Sequence, residues 1–290
     1  MNQCKNLRWV KLLAGAVLAL IVSIGQAWAA ALPLNAPRGL AVDAHGNLYV
    51  ANQNGNQILV YGPEYVQETA KTITQGISLP TDVTFDSQNN IYVTNGGSNS
   101  VTEYLPNHTQ YSVGTITNGI NNPWAVAVDP LGNVYVSNNF AIVTIYSLID
   151  PNNQFGRQEV ASYTTPFPVY GIAAHGPSFA WGSVNFFNLD IASLVLTGQV
   201  GNYGVYGGGA AGEALALAYD KAGDLYVGNA TGELQLCKNG TFAVSTLAQV
   251  GFSINGIAVD GARGRIYLSS ESANQIAVFS TQGQLIKVIQ

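Results

Sequence analysis

The sequence predicts an all-β fold, a six-bladed β-propeller with four antiparallel strands in each blade. Three observations carry this prediction: an apolar segment that recurs six times, a turn sequence beside it, and strands that are apolar on both faces. The composition agrees, because only 9% of the residues are charged while Gly (32 residues) and Tyr (15 residues) abound, as in turn-rich β proteins.

The recurring segment appears first as GLAVD and returns at intervals of about 40 to 46 residues. Each copy ends at an equivalent position, and an aromatic residue follows six or seven positions later. The equivalent positions are Asp43, Asp86, Asp129, His175, Asp220 and Asp260, and the aromatic residues are Tyr49, Tyr92, Tyr135, Trp181, Tyr226 and Tyr267. Six such units fill the chain after residue 30, which predicts a single repeat domain over residues 31–290.

A tight turn is predicted after the recurring segment. Asp43 can accept a hydrogen bond from the backbone two residues on, and Gly46 can adopt the positive φ that returns the chain as a hairpin. The same turn chemistry recurs in Asp129-Pro130-Leu131-Gly132 and in Asp220-Lys221-Ala222-Gly223. These aspartates are therefore assigned a structural role.

Each unit is predicted to hold four short strands, which in the first unit cover residues 38–42, 48–51, 57–61 and a more polar stretch near 71–74. The first two strands show little polar alternation, so they need cover on both faces. Four-stranded units arranged around a ring supply that cover. Residues 283–290 complete the last unit, so no blade is expected to borrow a strand from the other terminus.

The first unit, PRGLAVDAHGNLYVANQNGNQILVYGP, resembles the NHL repeat in its proline, its Gly-Leu-Ala-Val-Asp step and its Asn-Leu-Tyr-Val-Ala step. The resemblance extends to all six units and implies a six-bladed propeller. Two departures recur. Asparagine replaces the family's acidic residue after the second strand, and the family's arginine before the third strand is missing; the positions are Asn52, Asn95, Asn138 and Asn229, then Gln57, Ser100 and Gln275. We therefore expect amide and hydroxyl hydrogen bonds in place of charge pairs between blades.

Residues 1–30 have the pattern of a secretory signal peptide. Lys5, Arg8 and Lys11 precede an uncharged apolar run at residues 12–24, and small residues follow at Ala27-Trp28-Ala29. The apolar run is too short to span a bilayer comfortably. We therefore predict that the leader is removed and that the protein is secreted or periplasmic; an uncleaved N-terminal anchor is the alternative.

The charge balance argues against two classes of partner. Without the three basic residues of the leader, the formal net charge of −5 becomes about −8. A negative chain disfavours nucleic acid and anionic membrane surfaces, so we expect neither a nucleic-acid partner nor membrane insertion after cleavage. Cys237 would be the remaining cysteine, which excludes an intrachain disulfide and predicts a buried or weakly reactive thiol.

Candidate ligand-binding residues lie where each innermost strand begins, because in a propeller these positions surround one mouth of the central channel. They are Arg38, Thr81, Trp124, Tyr170, Leu215 and Asn255, with Asp82 and Glu213 close by. Aromatic faces beside a few polar groups suit a small organic ligand, a sugar or a peptide end. We predict a monomeric binding module for a protein, peptide or carbohydrate, with no cofactor and no catalytic residues. Alternatively, Trp124 and Tyr170 plug the channel or pack against the next blade.

An enzymatic alternative follows from a more distant similarity to six-bladed propellers of the gluconolactonase and strictosidine synthase-like types. The lactonases imply oxygen ligands for calcium or another divalent ion, and Asn255, Asp82 and Glu213 could supply them. Arg38 argues against this site, because it brings a positive charge near the ion. A streptogramin-lyase-like propeller would need a histidine facing the channel, and His175 is the histidine nearest an inner strand. A lactonase-type hydrolase or a lyase is therefore the alternative function.

Overall fold

A computed structural model describes residues 31–106, 112–139, 141–150, 153–165, 168–176, 178–183, 188–195, 199–207, 213–239 and 243–290. The predicted leader, residues 1–30, lies outside this range. From Leu32 to Gln290 the chain forms one compact unit. None of the helices in the described residues has the length and apolar character needed to cross a membrane.

The described strands form antiparallel sheets that follow one another along the chain. The first sheet holds β1 (Pro37–Val42), β2 (Leu48–Asn52) and β3 (Gln57–Tyr61). The second holds β4 (Pro80–Phe85), β5 (Ile91–Asn95), β6 (Ser100–Tyr104) and β7 (Gly114–Ile116), and the third holds β8 (Pro123–Val128), β9 (Val134–Asn138), β10 (Ile142–Asp150) and β11 (Asn153–Thr164). The fourth holds β12 (Val169–His175), β13 (Ser178–Ser183), β14 (Asn188–Val195) and β15 (Gln199–Gly207). The fifth holds β16 (Ala214–Tyr219), β17 (Leu225–Asn229), β18 (Glu233–Cys237) and β19 (Val244–Gln249), and the sixth holds β20 (Gly256–Asp260), β21 (Arg265–Ser270), β22 (Gln275–Ser280) and β23 (Leu285–Ile289).

The first strands of the sheets surround a common centre. Strand β1 contacts β4, and the contacts continue from β4 to β8, β12, β16 and β20 before β20 returns to β1. Buried apolar residues fill the spaces between successive sheets, and one cluster joins the last sheet to the first through Tyr267 and Val50. The chain is thus an all-β β-propeller of antiparallel, mostly four-stranded sheets.

The sequence prediction of a fourth strand in the first unit is wrong. Residues Thr69–Lys71 form a short 3-10 helix, and two isolated bridges, Ile58 to Ile73 and Tyr61 to Gln67, are all that pairs with the outer edge of β3. Ile73 is fully buried, Thr72 is half-buried and Thr74 is exposed. A single apolar residue anchors this stretch, and the helical turn interrupts the ladder.

Burial of the second strands confirms that they are covered on both faces. Every residue of β2, β5, β9 and β17 is buried. The last sheet takes β23 from the C-terminal residues, as predicted, and Cys237 is buried in β18.

The turns after the first strands show the predicted chemistry. Asp43 Oδ1 accepts a hydrogen bond from His45 N at 2.9 Å, and Gly46 has a φ of 84°. The aromatic spacing also has a physical reason, because the hydroxyl of Tyr135 donates to Asp129 Oδ2 at 3.0 Å. The aspartate thus joins the turn to the second strand, as its structural assignment predicts.

Asparagine side chains connect successive sheets. Each of three asparagines with a positive φ lies in the hairpin between the second and third strands of a sheet, and its Oδ1 accepts a backbone N–H at the start of the next sheet. The pairs are Asn56 with Leu79 (2.7 Å), Asn99 with Asn122 (2.6 Å) and Asn274 with Ala36 (2.7 Å). The acceptor in each pair satisfies the N–H of a residue that itself has a positive φ. Amides thus join the sheets, although they come from Asn56, Asn99 and Asn274 and not from the residues that replace the family's arginine.

Candidate functional site

Backbone irregularities direct side chains toward the channel. In the first five sheets the register between the first and second strands shifts near the start of the inner strand. The unpaired residues there include Arg38, Thr81, Trp124, Tyr170 and Leu215. A β-bulge bends the strand and re-aims the side chain of its extra residue. Five of the positions predicted from sequence are therefore bulge positions, whereas Asp82 is paired with Thr94, and Glu213 and Asn255 precede their strands.

A cavity of about 530 Å³ lies between the inner strands. Its lining includes all the candidate residues, namely Arg38, Thr81, Asp82, Trp124, Tyr170, Leu215, Glu213 and Asn255. The structure thus brings the predicted residues to one cavity, although they come from six different units of the sequence.

Three of these side chains stack across the mouth of the cavity. Arg38 Cζ lies 4.3 Å from the centre of the Trp124 ring, which belongs to the third sheet. The Trp124 and Tyr170 rings meet edge to face, with their centres 4.8 Å apart at 71°. Glu271 pairs with the same guanidinium, with its Oε2 3.6 Å from Arg38 Nε. The two aromatic rings therefore pack on each other, Trp124 also packs on the cation, and both residues stay partly exposed.

The charge of Arg38 is partly desolvated. Its side chain is 14% exposed. Burial lowers the pKa of Arg38 below its ordinary value, while Glu271, Asp82 and Tyr170 oppose that shift. The guanidinium remains protonated at neutral pH because its ordinary pKa is far above 7. The mouth therefore presents a cation that is fixed by an aromatic face and a carboxylate.

Asp82 is the exceptional residue of the inner strands. The equivalent position holds a small residue in the other five sheets: Gly39, Ala125, Gly171, Ala216 and Gly256. The Asp82 carboxylate accepts hydrogen bonds from Val83 N at 2.9 Å and from Val126 N of the next sheet at 3.0 Å. Burial raises its pKa to about 7, against the two backbone hydrogen bonds and Arg38, which lower it. Asp82 therefore links the second and third sheets beside Trp124.

The space for Asp82 depends on Gly39. A Cβ atom at Gly39 would lie 1.9 Å from Asp82 Oδ1, which is closer than real contacts allow. The carboxylate of β4 therefore fits only because the equivalent residue of β1 is glycine.

The remaining candidate side chains differ in how far hydrogen bonds within the protein already occupy them. Thr81 Oγ1 is buried and donates to Pro123 O at 2.9 Å, so it joins two sheets. Asn255 Oδ1 accepts a hydrogen bond from Glu271 N at 3.0 Å, which leaves the amide nitrogen of Asn255 as a donor for a ligand. Glu213 lines the cavity and is partly exposed.

Two of the three proposed oxygen ligands, Asp82 and Asn255, are already used by the protein, which disfavours a divalent ion at this site. Both oxygens of Asp82 and the Oδ1 of Asn255 already accept backbone N–H groups, and the cation Arg38 lines the same cavity. Over the described part of the chain, no three His, Cys, Asp or Glu side chains are grouped to hold a metal ion. Ala174 lines the cavity, but the next residue, His175, does not. The centre of the His175 ring lies 5.3 Å from that of the Tyr219 ring.

Sequence reasoning missed Glu271 and the role of Gly39. Glu271 lies in the hairpin between β21 and β22, where the hairpins of the first two units hold asparagine, glycine, glutamine and serine. An acidic residue in such a hairpin was the available signal, because these hairpins lie on the same face as the channel mouth. Gly39 gave no signal, since glycine is also found at two equivalent positions.

No protein-family model and no curated protein matches the sequence. Solved structures do match. A virginiamycin B lyase from Staphylococcus aureus is 12% identical with a TM-score of 0.59, over 89% of this chain and 86% of the lyase chain. A gluconolactonase from Xanthomonas campestris is 14% identical with a TM-score of 0.64, over 82% and 84% of the two chains. A chain of a nidogen/laminin complex is 13% identical with a TM-score of 0.63, over 81% and 90%. At these identities the likeness shows the β-propeller fold alone, and such propellers include both enzymes and binding proteins.

Proposed function

We propose that the protein is an exported propeller of the NHL-repeat type, in which the three-stranded sheet β1–β3 serves as one of six blades. We further propose that it is a binding module, and that it takes a protein, peptide or carbohydrate ligand on the face of the ring that carries the channel mouth. The recurring sequence units and the ring of inner strands support the blade count.

The stack of Arg38, Trp124 and Tyr170 carries the proposal. It closes the mouth only in part, because both rings stay partly exposed above a cavity of about 530 Å³. Aromatic rings that are held in place lose little conformational entropy when a ligand packs on them. The residues of the stack occupy a position that holds a different residue in each repeat. If that position had only a structural role, we would expect similar residues in every blade.

The test compares two cation–aromatic pairs of the same chain. The protein starting at residue 31 is screened against a panel of neutral oligosaccharides and against a phage-displayed random peptide library. Binding of the selected ligand should fall at least tenfold in Trp124→Ala. The control is Tyr65→Ala, because Arg265 Cζ lies 4.8 Å from the Tyr65 ring, outside the residues that line the cavity. Equal losses in both variants, or no ligand from either screen, would contradict the proposal.

A lactonase-type hydrolase or lyase is the second candidate, and Asp82 is the observation that favours it. A carboxyl group in a cavity with a pKa of about 7 is suited to proton transfer at neutral pH. The test is lactone hydrolysis by the purified protein, with elemental analysis for a divalent metal. Activity that is lost in Asp82→Asn and kept in Glu213→Gln would support the enzyme, and absence of hydrolysis and metal would exclude the lactonase.

Export has its own test. N-terminal sequencing of the protein recovered from the periplasm or the medium should find a start near residue 30. Recovery of the intact chain in the membrane fraction would instead support an uncleaved anchor.

A further inference from the structure

A second cavity, of about 330 Å³, lies beside the channel mouth, where the sixth sheet meets the first. We call it the polar groove; its lining is four asparagines, two serines, Glu271 and Ala36. The groove adjoins the mouth in two ways. Asn255 lines both cavities, and Glu271, which lines the groove, holds Arg38 of the mouth.

Several polar side chains in the groove are open to solvent: Asn35 and Asn54 are exposed and Ser253 is half-buried. Among the residues that the structure describes, the side chains of Asn35, Asn54 and Ser253 accept and donate no hydrogen bond. Asn255 and Asn274 each use Oδ1 to accept a backbone N–H, which leaves their amide nitrogens as donors. The groove thus offers both donors and acceptors on neutral groups.

The chemistry of the lining discriminates between ligand classes. A sugar hydroxyl is both donor and acceptor, and a neutral amide offers both in return. A peptide is usually held by apolar or aromatic anchors in pockets, but Ala36 is the one apolar residue among the described residues that line the groove. A charged ligand is disfavoured because the one carboxylate, Glu271, is already paired with Arg38. The lining therefore matches a neutral, hydroxyl-rich ligand.

We propose that the polar groove is a subsite for a neutral oligosaccharide, which lies across Asn54 and Ser253 and reaches the channel mouth at Asn255. This inference rests on the proposed binding function and names its ligand class. It predicts that the mouth and the groove bind one ligand together, with hydrogen bonds in the groove and packing on aromatic rings at the mouth.

The test uses neutral hexasaccharides of β-1,4-linked glucose, α-1,4-linked glucose, β-1,4-linked xylose and β-1,4-linked N-acetylglucosamine. Saturation-transfer NMR identifies which of them binds the protein starting at residue 31, and calorimetry measures Kd. The double variant Asn54→Ala/Ser253→Ala should weaken that binding by roughly tenfold or more, as expected for the loss of two or more hydrogen bonds. Its thermal unfolding should be unchanged, because neither side chain is bonded within the described protein.

The matched control is Ser98→Ala, a change in the equivalent hairpin of the second sheet on the same face, outside the lining of both cavities. It should leave Kd unchanged. A hexasaccharide whose affinity is the same in the double variant overturns the inference, as does failure of all four sugars to bind. If the sugars fail but a library peptide binds and is lost in Trp124→Ala, only the sugar subsite is wrong; if neither class binds, the binding function fails too.

Discussion

Asp82 gives one junction of this repeat protein a hydrogen bond that the equivalent small residues of the other sheets cannot make. Its carboxylate occupies a position that is small in the other sheets, and it receives one N–H from its own strand and one from β8. The second bond lies two residues beyond Trp124, so Asp82 holds the strand that presents the aromatic ring. Its sequence neighbours did not reveal this role, since Gly39 and Val126 are distant in the chain.

The raised pKa of Asp82 makes stability depend on pH. Its folded pKa of about 7 exceeds its ordinary value of about 4, so the folded protein retains a proton that the unfolded chain releases. Stability contributed by this group is therefore greatest at low pH and is lost as pH rises from about 4 to 7. Between about pH 4 and pH 7 this loss should lower the free energy of unfolding by on the order of 1–3 kcal/mol. In Asp82→Asn we expect that contribution to be absent when the free energy of unfolding is measured by urea titration across the same pH range.

Glu103 supplies the control for that measurement. Burial raises its pKa to about 7 as well, although Arg157 lowers it, so it contributes a slope of the same sign. Glu103→Gln should remove its own share and leave that of Asp82. An Asp82→Asn protein whose pH profile parallels the wild type would show that Asp82 is not protonated in the folded state.

At the scale of elements, the sequence predicted the strands better than the contacts between sheets. Periodicity located the first three strands of the first unit, because apolar strands covered on both faces leave a clear pattern. The missing fourth strand could not be predicted, since whether residues 71–74 pair depends on tertiary contacts with β3. The asparagines after the second strands were visible as a pattern, but the Oδ1 atoms of three of them accept N–H groups from the segment before the first strand of their own unit. The bonds to the next sheet come from other asparagines, Asn56, Asn99 and Asn274, which the pattern did not single out.

The asparagine junctions predict a graded loss of stability. Asn56 has a φ of 50° and accepts from Leu79 N at 2.7 Å. Asn56→Ala removes the hydrogen bond and places alanine in the left-handed region, which should cost about 2–3 kcal/mol in the free energy of unfolding. Asn56→Gly removes only the hydrogen bond and should cost about 1 kcal/mol. Equal losses in urea denaturation would show that the backbone conformation contributes nothing.

Two junctions depart from the expected replacement of charge pairs by amides: Arg38 pairs with Glu271 between the first and sixth sheets, and a second pair joins the second and third sheets. Arg157 of β11 lies 3.3 Å from Glu103 of β6, and the two side chains are 2% and 0% exposed. Arg157 also donates to the hydroxyl of Tyr92 at 2.6 Å. A charge pair thus joins the second and third sheets, and for both junctions the expectation from sequence is wrong.

Removing one member of this pair should be more harmful than removing both charges. Arg157→Met leaves Glu103 buried and unpaired, which should cost about 3–5 kcal/mol. Adding Glu103→Gln should recover part of that loss, because no uncompensated charge then remains. Thermal unfolding of the two single variants and the double variant measures the coupling, and strictly additive losses would contradict an interaction between the two side chains.

At the scale of the whole molecule, the repeat predicts which residues reach the channel mouth but not which of them meet. Arg38 and Trp124 belong to the first and third sheets, and only closure of the ring brings them together. Closure itself depends on contacts between β20 and β1 and on the hydroxyl of Ser269, which donates to Arg38 O. Residues that differ between the repeats therefore form a site only when the ring is closed.

The central claim, that ligand binds at the mouth stack, can be tested by tryptophan fluorescence. After residue 30 the chain has two tryptophans, Trp124 at the mouth and Trp181, which is buried. Titration with a ligand found in the binding screens should change the emission of the wild type and of Trp181→Phe, but not of Trp124→Phe. Binding that calorimetry detects with no change in Trp124 emission, and with the same Kd in Trp124→Ala, would place the ligand elsewhere and contradict the claim.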